Sequence, residues 1–343
     1  MMQRQVYRLK AGNTNRLKIT TEDLAPPSDY EVQIKVHAIG LNFADVFAIL
    51  GLYSATPDGA FIPGLEYAGE VVAKGAEVSD YEIGDRIMGV TRFGAYTTHI
   101  NINESYIIPL PTEWSYAEGA SYLVQVLTAY YGLKNLGNLQ SEHTVLIHSA
   151  AGGVGIWANR ICKALGAYTI GTIGSPKKVS LLQEEGYNDH IVRNPKTFKA
   201  ELHDKLKDRG LDLIMECIGG KIMKAGFDAL APMGRHVVYG SAHYGNTASR
   251  PNYFKLIPKY LTRPRLDPQN MIKQNKSVMA FNLIYLFDNV AVMHELLSEL
   301  KELRLGKPII GHEFSFEQLP QAIKEFQSGH TIGKVVVDLK TII

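Results

Sequence analysis

A glycine-rich turn between an apolar strand and a helix constrains the fold of this chain more than any other feature. The apolar run 144–148 is typical of a strand buried in a parallel sheet, and it leads directly into Ser149-Ala150-Ala151-Gly152-Gly153-Val154-Gly155. A helical pattern then continues to Leu165 and ends at Gly166. Small residues let the backbone approach a pyrophosphate, and the free N–H groups of a helix N-terminus attract its charge. This order favours a dinucleotide site over a tight turn that binds no ligand.

Strands and helices continue to alternate after this turn. Further strands are predicted at 168–173, 211–217, 236–241 and 277–284, with helical patterns such as 178–185 between them. Such alternation predicts an α/β fold in which a doubly wound parallel sheet carries the cofactor.

The two ends of the chain have a different pattern. Residues 31–37 alternate between apolar and polar, and glycines separate short Val/Ile segments up to about residue 110, which is typical of a β-barrel or sandwich. Near the other end, Ser315 and Gln318 form a capping box before a helix, and 334–339 is predicted to be a strand that pairs back with the first domain. We therefore expect a β domain built from residues 1–126 and 285–343 around a cofactor domain at 127–284.

Charge and cysteine content narrow the classes of function. Lys and Arg total 36 against 34 for Asp and Glu, so the net charge of +2 gives no field that would attract nucleic acid. Cys162 and Cys217 are too few for a zinc lobe or a disulfide scaffold, which indicates a reducing compartment. The first residues lack the apolar core of a signal peptide, and no segment has the ~20 apolar residues of a spanning helix. We expect a soluble cytoplasmic protein without a transmembrane segment.

The residues after the second predicted strand bear on the choice of dinucleotide. An NAD-selective sheet usually places an acidic residue here to bind the ribose hydroxyls, but residues 171–178 contain none. They offer the hydroxyl of Ser175 and the ammonium groups of Lys177 and Lys178, which suit a 2′-phosphate. Paired lysines at a helix start are also often merely solvated, but the missing acid favours NADP(H).

Four motifs together carry a resemblance to a known family: Gly40-Leu41-Asn42-Phe43-Ala44-Asp45, Pro63-Gly64-Leu65-Glu66-Tyr67-Ala68-Gly69-Glu70, Gly84-Asp85-Arg86 and the glycine turn. With them, the chain resembles the medium-chain dehydrogenase/reductase superfamily and, within it, the quinone oxidoreductases. Residues 274–277 before Phe281-Asn282-Leu283 further resemble the synaptic-vesicle membrane-protein-like branch. The resemblance implies a GroES-like β-barrel catalytic domain and a Rossmann cofactor domain.

Two positions depart from the zinc enzymes of this superfamily. Asn42 stands where they have a cysteine ligand, and Leu65 stands where they have a histidine, although Asp45 and Glu66 are retained. A carboxamide cannot replace a thiolate ligand, so we expect no metal site. Without a Lewis acid, alcohol oxidation is disfavoured. The resemblance therefore implies NADPH-dependent reduction of quinones or α,β-unsaturated carbonyl compounds by hydride transfer from nicotinamide.

The resemblance also implies roles for single residues. Tyr53 is expected to be the general acid or oxyanion donor, with a packed aromatic as the alternative. Asn42 is expected to orient the nicotinamide carboxamide or the acceptor oxygen, with a backbone bond in its loop as the alternative. Phe47 occupies the position at which the family has a second tyrosine near this site. The residues expected to contact NADPH are Asn42, Thr128, Ala151, Gly152, Gly153, Val154, Ser175, Lys178, Arg193, Cys217, Ile218, Gly240, Ser241, Phe281 and Leu283.

A basic segment at about 242–276 stands apart from the alternating pattern. It contains Arg250, Lys255, Lys259, Arg263, Arg265 and Lys273 against Asp267, together with four prolines. It is predicted to be an insertion on the rim of the sheet, either a solvated excursion or a face that contacts an anionic membrane surface. The alternative function is thus a dinucleotide-binding interaction or peripheral membrane protein with little catalytic activity. From the resemblance we also expect a homodimer that pairs through the edge strand 277–284.

Overall fold

The computed structural model describes residues 2–245 and 248–339. Its amino-terminal part is built mainly from short antiparallel strands, as the alternating pattern predicted. The strands are β1 (Met2–Lys10), β2 (Lys18–Leu24), β3 (Glu31–Gly40), β4 (Ala60–Phe61), β5 (Glu66–Lys74), β6 (Arg86–Val90), β7 (His99–Asn103) and β8 (Ile107–Pro109), and helix α1 (Phe43–Ile49) follows β3. Strand β3 lies at the centre, because it pairs with β5 and with β7.

Helices α2 (Tyr116–Gly119) and α3 (Leu123–Tyr130) lead into a six-stranded sheet. Its strands are β9 (Thr144–His148), β10 (Tyr168–Ile173), β11 (Asp189–Val192), β12 (Leu211–Glu216), β13 (Leu230–Val238) and β14 (Ser277–Ala280), in the spatial order β11-β10-β9-β12-β13-β14. All neighbouring strands are parallel. The helices between them are α4 (Gly153–Ala164), α5 (Val179–Glu184), α6 (Phe198–Leu206) and α7 (Gly220–Ala229). The predicted doubly wound sheet is confirmed, with its switch point between β9 and β12.

The last two strands of this sheet differ from the predicted bounds. Strand β13 begins at Leu230 instead of residue 236, because a register shift and the positive φ of Met233 (69°) interrupt the regular pattern that marks a strand. It ends at Val238 instead of residue 241, and Gly240 and Ser241 line the cleft beyond it. Strand β14 ends at Ala280, and a 3₁₀ helix begins at Leu283.

The basic insertion between β13 and β14 contains two helices that the sequence pattern did not predict. They are α8 (Tyr253–Leu261) and α9 (Pro268–Gln274). Among the residues that the structure describes, no helix is long and apolar enough to cross a membrane. Strand β14 forms one edge of the parallel sheet. The homodimer expected through this edge stays a prediction.

The carboxyl-terminal part returns to the first sheet. It contains α10 (Val290–Glu302), β15 (Ile310–Ser315), α11 (Leu319–Ser328) and β16 (Lys334–Asp338). The predicted capping box is present, since the backbone N–H of Ser315 donates to Gln318 Oε1 at 3.0 Å. Strand β16 pairs antiparallel with β3 and parallel with β15. The seven-stranded sheet therefore contains strands from both ends of the chain.

One continuous apolar core joins the two sheets around α3. It includes Ala38 and Met88 from the seven-stranded sheet and Val145 from the parallel sheet. A chain of edge-to-face aromatic rings crosses the same region, with Tyr122 lying 5.1 Å from Trp114 and 5.2 Å from Trp157. Close packing of this kind resists deformation, so it fixes the two walls of the cleft described below.

Candidate active site in the cleft between the two sheets

A cleft of about 1060 Å³ lies between the two sheets. One wall is formed by α1, the loop after it and α3. The opposite wall is formed by the carboxyl ends of all six parallel strands, where ligands of doubly wound sheets bind. These strand ends supply the glycine turn, Gly174, Arg193, Cys217, Ile218, Gly240, Ser241, Phe281 and Leu283.

The glycine turn opens α4 and faces the cleft. A Cβ atom at Gly155 would lie 2.6 Å from the carbonyl oxygen of Ser149, so the close approach of helix and strand requires glycine here. At Gly153 a Cβ atom would lie 1.8 Å from Oε1 of Gln125, a buried residue of α3. Glycine at these positions thus lets α4 begin close to β9 and α3, with its N-terminus at the cleft, where helix N–H groups suit a pyrophosphate.

Two basic side chains line one end of the cleft, past β10 and β11. Lys178 Nζ donates to the carbonyls of Gly329 (2.8 Å) and Thr331 (2.7 Å), which leaves one N–H group for a ligand. Arg193 donates through Nη1 to the carbonyl and the hydroxyl of Thr172 (2.9 and 3.0 Å). Burial lowers the pKa of both groups. Within the described residues no carboxylate lines the cleft, so its only charged side chains are these two cations, and the site attracts anions.

Asn42 precedes α1, and its amide is held on both sides. Its Oδ1 accepts a hydrogen bond from the ammonium of Lys334 (2.9 Å). Its Nδ2 donates to the carbonyl of Gly40 and to Glu66 Oε1, both at 3.3 Å. Both N–H groups are thus engaged within the protein, and only a lone pair of Oδ1 remains for a ligand. In this arrangement the amide can accept a hydrogen bond from a ligand but has no free N–H group to donate.

Lys334 and Glu66 form a closed ion pair behind Asn42. Each side chain is 1% exposed, and the ammonium donates to Glu66 Oε1. Glu66 Oε2 accepts the backbone N–H of Val124 at 2.8 Å. Burial lowers the pKa of Lys334, whereas the charge and hydrogen bond of Glu66 act in the opposite direction. Lys334, the first residue of β16, thus places its ammonium beside Asn42.

Asp45 lies under the same segment and is fully buried. Its Oδ2 accepts hydrogen bonds from the backbone N–H of Asn42 (2.8 Å) and from the hydroxyl of Tyr96 (3.1 Å). Burial raises the pKa of Asp45 to about 7, although these hydrogen bonds and the charge of Lys334 lower it in part. The retained carboxyl group thus fixes the backbone that presents Asn42 to the cleft.

Tyr53 lies in the cleft wall opposite the parallel sheet. Its hydroxyl donates to Asn282 Oδ1 at 2.6 Å, and its ring packs edge-on against Phe93 at 6.4 Å. Burial raises the pKa of the Tyr53 phenol to about 12, so the group carries its proton at neutral pH. The hydrogen bond crosses the cleft from the first wall to the residues that follow β14. It orients the phenol in the cleft and engages its single O–H group in this structure.

Thr128 of α3 and the loop after β12 are held in the cleft by contacts within the protein. Thr128 donates its hydroxyl to the carbonyl of Val124 at 2.6 Å. Glu216 is buried at the end of β12, and its Oε1 accepts the backbone N–H groups of Ile218 and Gly219, the latter at 2.9 Å. Its Oε2 lies 3.4 Å from the ring of His148. These contacts fix the loop that follows Glu216 in the cleft.

Comparison with known proteins identifies the family. The family model for the alcohol dehydrogenase GroES-like domain matches residues 28–112, and the model for zinc-binding dehydrogenases matches residues 153–299. The human synaptic vesicle membrane protein VAT-1 homolog is 32% identical over 331 residues, which cover 95% of this chain and 84% of that protein. The chain belongs to the zinc-independent, quinone-oxidoreductase-like family of medium-chain dehydrogenases/reductases. It is thus a member of an oxidoreductase family.

Two solved structures have the same fold as this chain. A quinone oxidoreductase from Pseudomonas syringae pv. Tomato has a TM-score of 0.83 at 25% identity and covers 98% of this chain and 100% of its own. A mycobacterial protein solved in complex with NADPH has a TM-score of 0.84 at 23% identity, with coverage of 98% and 100%. The expected fold class, a GroES-like domain with a Rossmann-type cofactor sheet, is confirmed.

The structure brings nearly all predicted site residues of this family member together. Every one of them lines the cleft except Ser175, whose hydroxyl instead accepts the backbone N–H of Lys177 at 3.4 Å. Their roles stay predictions. Sequence reasoning missed Gln125, Asn282 and Lys334. Asn282 was within a quoted motif, but nothing local in the sequence showed that it reaches Tyr53.

Proposed function

We propose that this family member binds NADPH and reduces quinones or α,β-unsaturated carbonyl compounds. The observation that carries the proposal is the protonated phenol of Tyr53 in the same cleft as the glycine turn. The bound cofactor would supply hydride. The chain would supply the binding surface and a hydrogen-bond donor for the oxygen that becomes negative.

Two features of the cleft and one structural neighbour support NADPH as the cofactor. The glycine turn is open for a pyrophosphate, and Lys178 and Arg193 line the end of the cleft where the ribose-binding acid of NAD-selective sheets is missing. A 2′-phosphate carries charge that these two cations would bind. The structural neighbour solved with NADPH has the same fold.

Tyr53 and Asn42 would have different roles in the cleft. The phenol of Tyr53 would donate to the acceptor oxygen by exchanging its hydrogen bond to Asn282 Oδ1. The N–H groups of Asn42 would instead have to leave the carbonyl of Gly40 and the buried Glu66. The free lone pair of Asn42 Oδ1 would accept a hydrogen bond from the carboxamide of the cofactor. Lys334 acts as a positioning residue, because its ammonium sets which way this amide points.

The proposal is tested by following NADPH oxidation with a panel of quinones and enones. We expect turnover that depends on the acceptor, and a KM for NADPH well below that for NADH. Tight NADPH binding without turnover on any acceptor would contradict the proposed reaction and leave the cofactor assignment standing.

A second candidate function is peripheral contact with an anionic membrane. Three apolar residues of the basic insertion do not line the cleft and are exposed, and we call them its outer face: Phe254 (95%), Leu261 (62%) and Ile272 (71%). Lysines and arginines surround them at positions 255, 259, 263, 265 and 273, and exposed apolar groups beside basic ones are typical of interfacial helices. The human relative is named as a homolog of a synaptic vesicle membrane protein.

Sedimentation with vesicles containing phosphatidylserine tests this second candidate. We expect salt-sensitive binding that is lost in Phe254→Ser/Leu261→Ser. Met233→Ser is the matched control, because Met233 is 76% exposed but lies outside the insertion. Binding that is absent at low salt, or lost equally in the control, would contradict this candidate.

A further inference from the structure

Helix α8 presents an apolar stripe to the cleft. Tyr253, Leu256, Ile257 and Tyr260 have the spacing i, i+3, i+4 and i+7, which places them on one face, and all four line the cleft. No residue of α8 is buried, and Tyr253, Ile257 and Tyr260 are 58%, 55% and 56% exposed. An apolar helix face usually packs against the rest of the protein, whereas the apolar face of α8 stays largely exposed.

The helix is nevertheless held at the rim by polar contacts. Asn252 caps it by accepting the backbone N–H of Lys255 at 3.2 Å. Lys259 Nζ donates to the carbonyl of His243 at 2.7 Å, which ties α8 to the loop that follows β13. The Arg263 guanidinium stacks on the ring of Tyr260 at 3.8 Å. The stripe is therefore held in place at the cleft while its surface stays open.

Aromatic side chains from other elements line the cleft together with this stripe. Phe43, Phe47, Tyr244 and Phe326 also line the cleft, whereas its two charged groups lie past β10 and β11. None of the residues assigned to the cofactor comes from α8. The stripe spans seven helical steps, or about 10 Å at a rise of about 1.5 Å per residue. A compact quinone or enone would leave most of it uncovered.

We propose that the α8 stripe binds an extended apolar chain carried by the acceptor, so that preferred acceptors are enones or quinones with an alkyl, acyl or isoprenoid tail. This inference rests on the proposed function for the reaction of the head group. The tail site itself depends only on the apolar surface, and it can therefore be measured without turnover. Burying the tail removes apolar surface from water on both the ligand and the helix.

A homologous series of straight-chain enones with one head group and increasing tail length tests the proposal, with each compound used below its micellar concentration. We expect kcat/KM to rise about two- to fourfold per added methylene until the stripe is covered, since full burial of a methylene contributes roughly fourfold. Leu256→Ser/Ile257→Ser should flatten this dependence. Phe254→Ser is the matched control on the same helix, because Phe254 is 95% exposed and does not line the cleft.

Calorimetric binding of the matching saturated ketones gives a second readout that needs no reaction. Affinity that rises with tail length and falls in Leu256→Ser/Ile257→Ser supports the tail site, even if no acceptor is reduced and the proposed function is wrong. If short enones are reduced but neither rate nor affinity depends on tail length, the tail site is overturned and the proposed function stands. An equal loss in Phe254→Ser would also overturn it, because the effect would then belong to the outer face.

Discussion

Replacing Lys334 by Met removes the buried cation behind Asn42 and leaves the neighbouring carboxylate without its partner. Both side chains of the pair are 1% exposed, so water cannot solvate the remaining charge of Glu66. Methionine is unbranched and of similar length, and it fills the space of the lysine stem without a new polar group. The substitution therefore isolates the loss of one charge in a closed site.

The expected cost follows from the contacts that remain. Breaking a buried ion pair by removing one partner costs about 3–5 kcal/mol in the free energy of unfolding. Glu66 keeps the backbone N–H of Val124 at 2.8 Å and the amide of Asn42 at 3.3 Å. These two donors place the expected loss at the lower end, about 3 kcal/mol. With a slope of roughly 3 kcal/mol per M, the urea midpoint would fall by about 1 M.

Intrinsic fluorescence can follow this unfolding, because both tryptophans, Trp114 and Trp157, are buried. The double variant Lys334→Met/Glu66→Gln removes the stranded charge and should recover at least about 1 kcal/mol relative to Lys334→Met. A loss below about 1 kcal/mol in Lys334→Met, or a double variant that is no more stable, would show that the pair is not held as a desolvated charge.

Three other predictions concern the cleft. Lys178→Ala should raise the KM for NADPH about tenfold or more, since a charged hydrogen bond contributes roughly 1.5–3 kcal/mol, and should leave the KM for NADH nearly unchanged. Lys177→Ala is the control. Equal changes in the KM for both cofactors would refute the phosphate assignment. Tyr53→Phe should lower kcat for enones about a hundredfold, with a smaller loss in Asn282→Ala, and an unchanged rate would assign the tyrosine to packing. Asp45→Asn should become more stable relative to the native chain as pH rises from about 4 to about 7. The pKa of Asp45 is about 7 in the folded state and 3.8 in the unfolded state, so the stabilising contribution of this carboxyl group is greatest at low pH and is lost across this interval. A difference in urea midpoint between the two proteins that does not change with pH would contradict the raised pKa of Asp45.

Local patterns in the sequence were sufficient for the features that depend on neighbouring residues. The glycine turn, five of the six parallel strands and the capping box at Ser315 each occupy one continuous segment, and their periodicity or spacing identifies them. The short strand β11 was not predicted. The cleft lies where such a sheet usually binds its ligands, and the residues expected at strand ends line it, whereas Ser175 does not.

Contacts between distant residues could not be predicted in this way. Lys334 and Glu66 are 268 positions apart, and Tyr53 and Asn282 are 229 apart. Helix α8 was also missed, because its Pro258 reads as a helix breaker. Proline at that position leaves the carbonyl of Phe254 without a donor, and the structure tolerates this because that part of the helix is exposed to water.

The position of β16 has a consequence for synthesis of the chain. The strand that completes the first sheet, and the ammonium that neutralises Glu66, leave the ribosome only after the whole parallel sheet has been made. Until then the nascent chain has an open edge at residues 38–40 of β3 and a carboxylate without its cation. Domains usually fold in the order of synthesis, but here the first sheet must wait for the last strand. The parallel sheet can therefore form early, and the support of Asn42 on the other wall of the cleft is completed last.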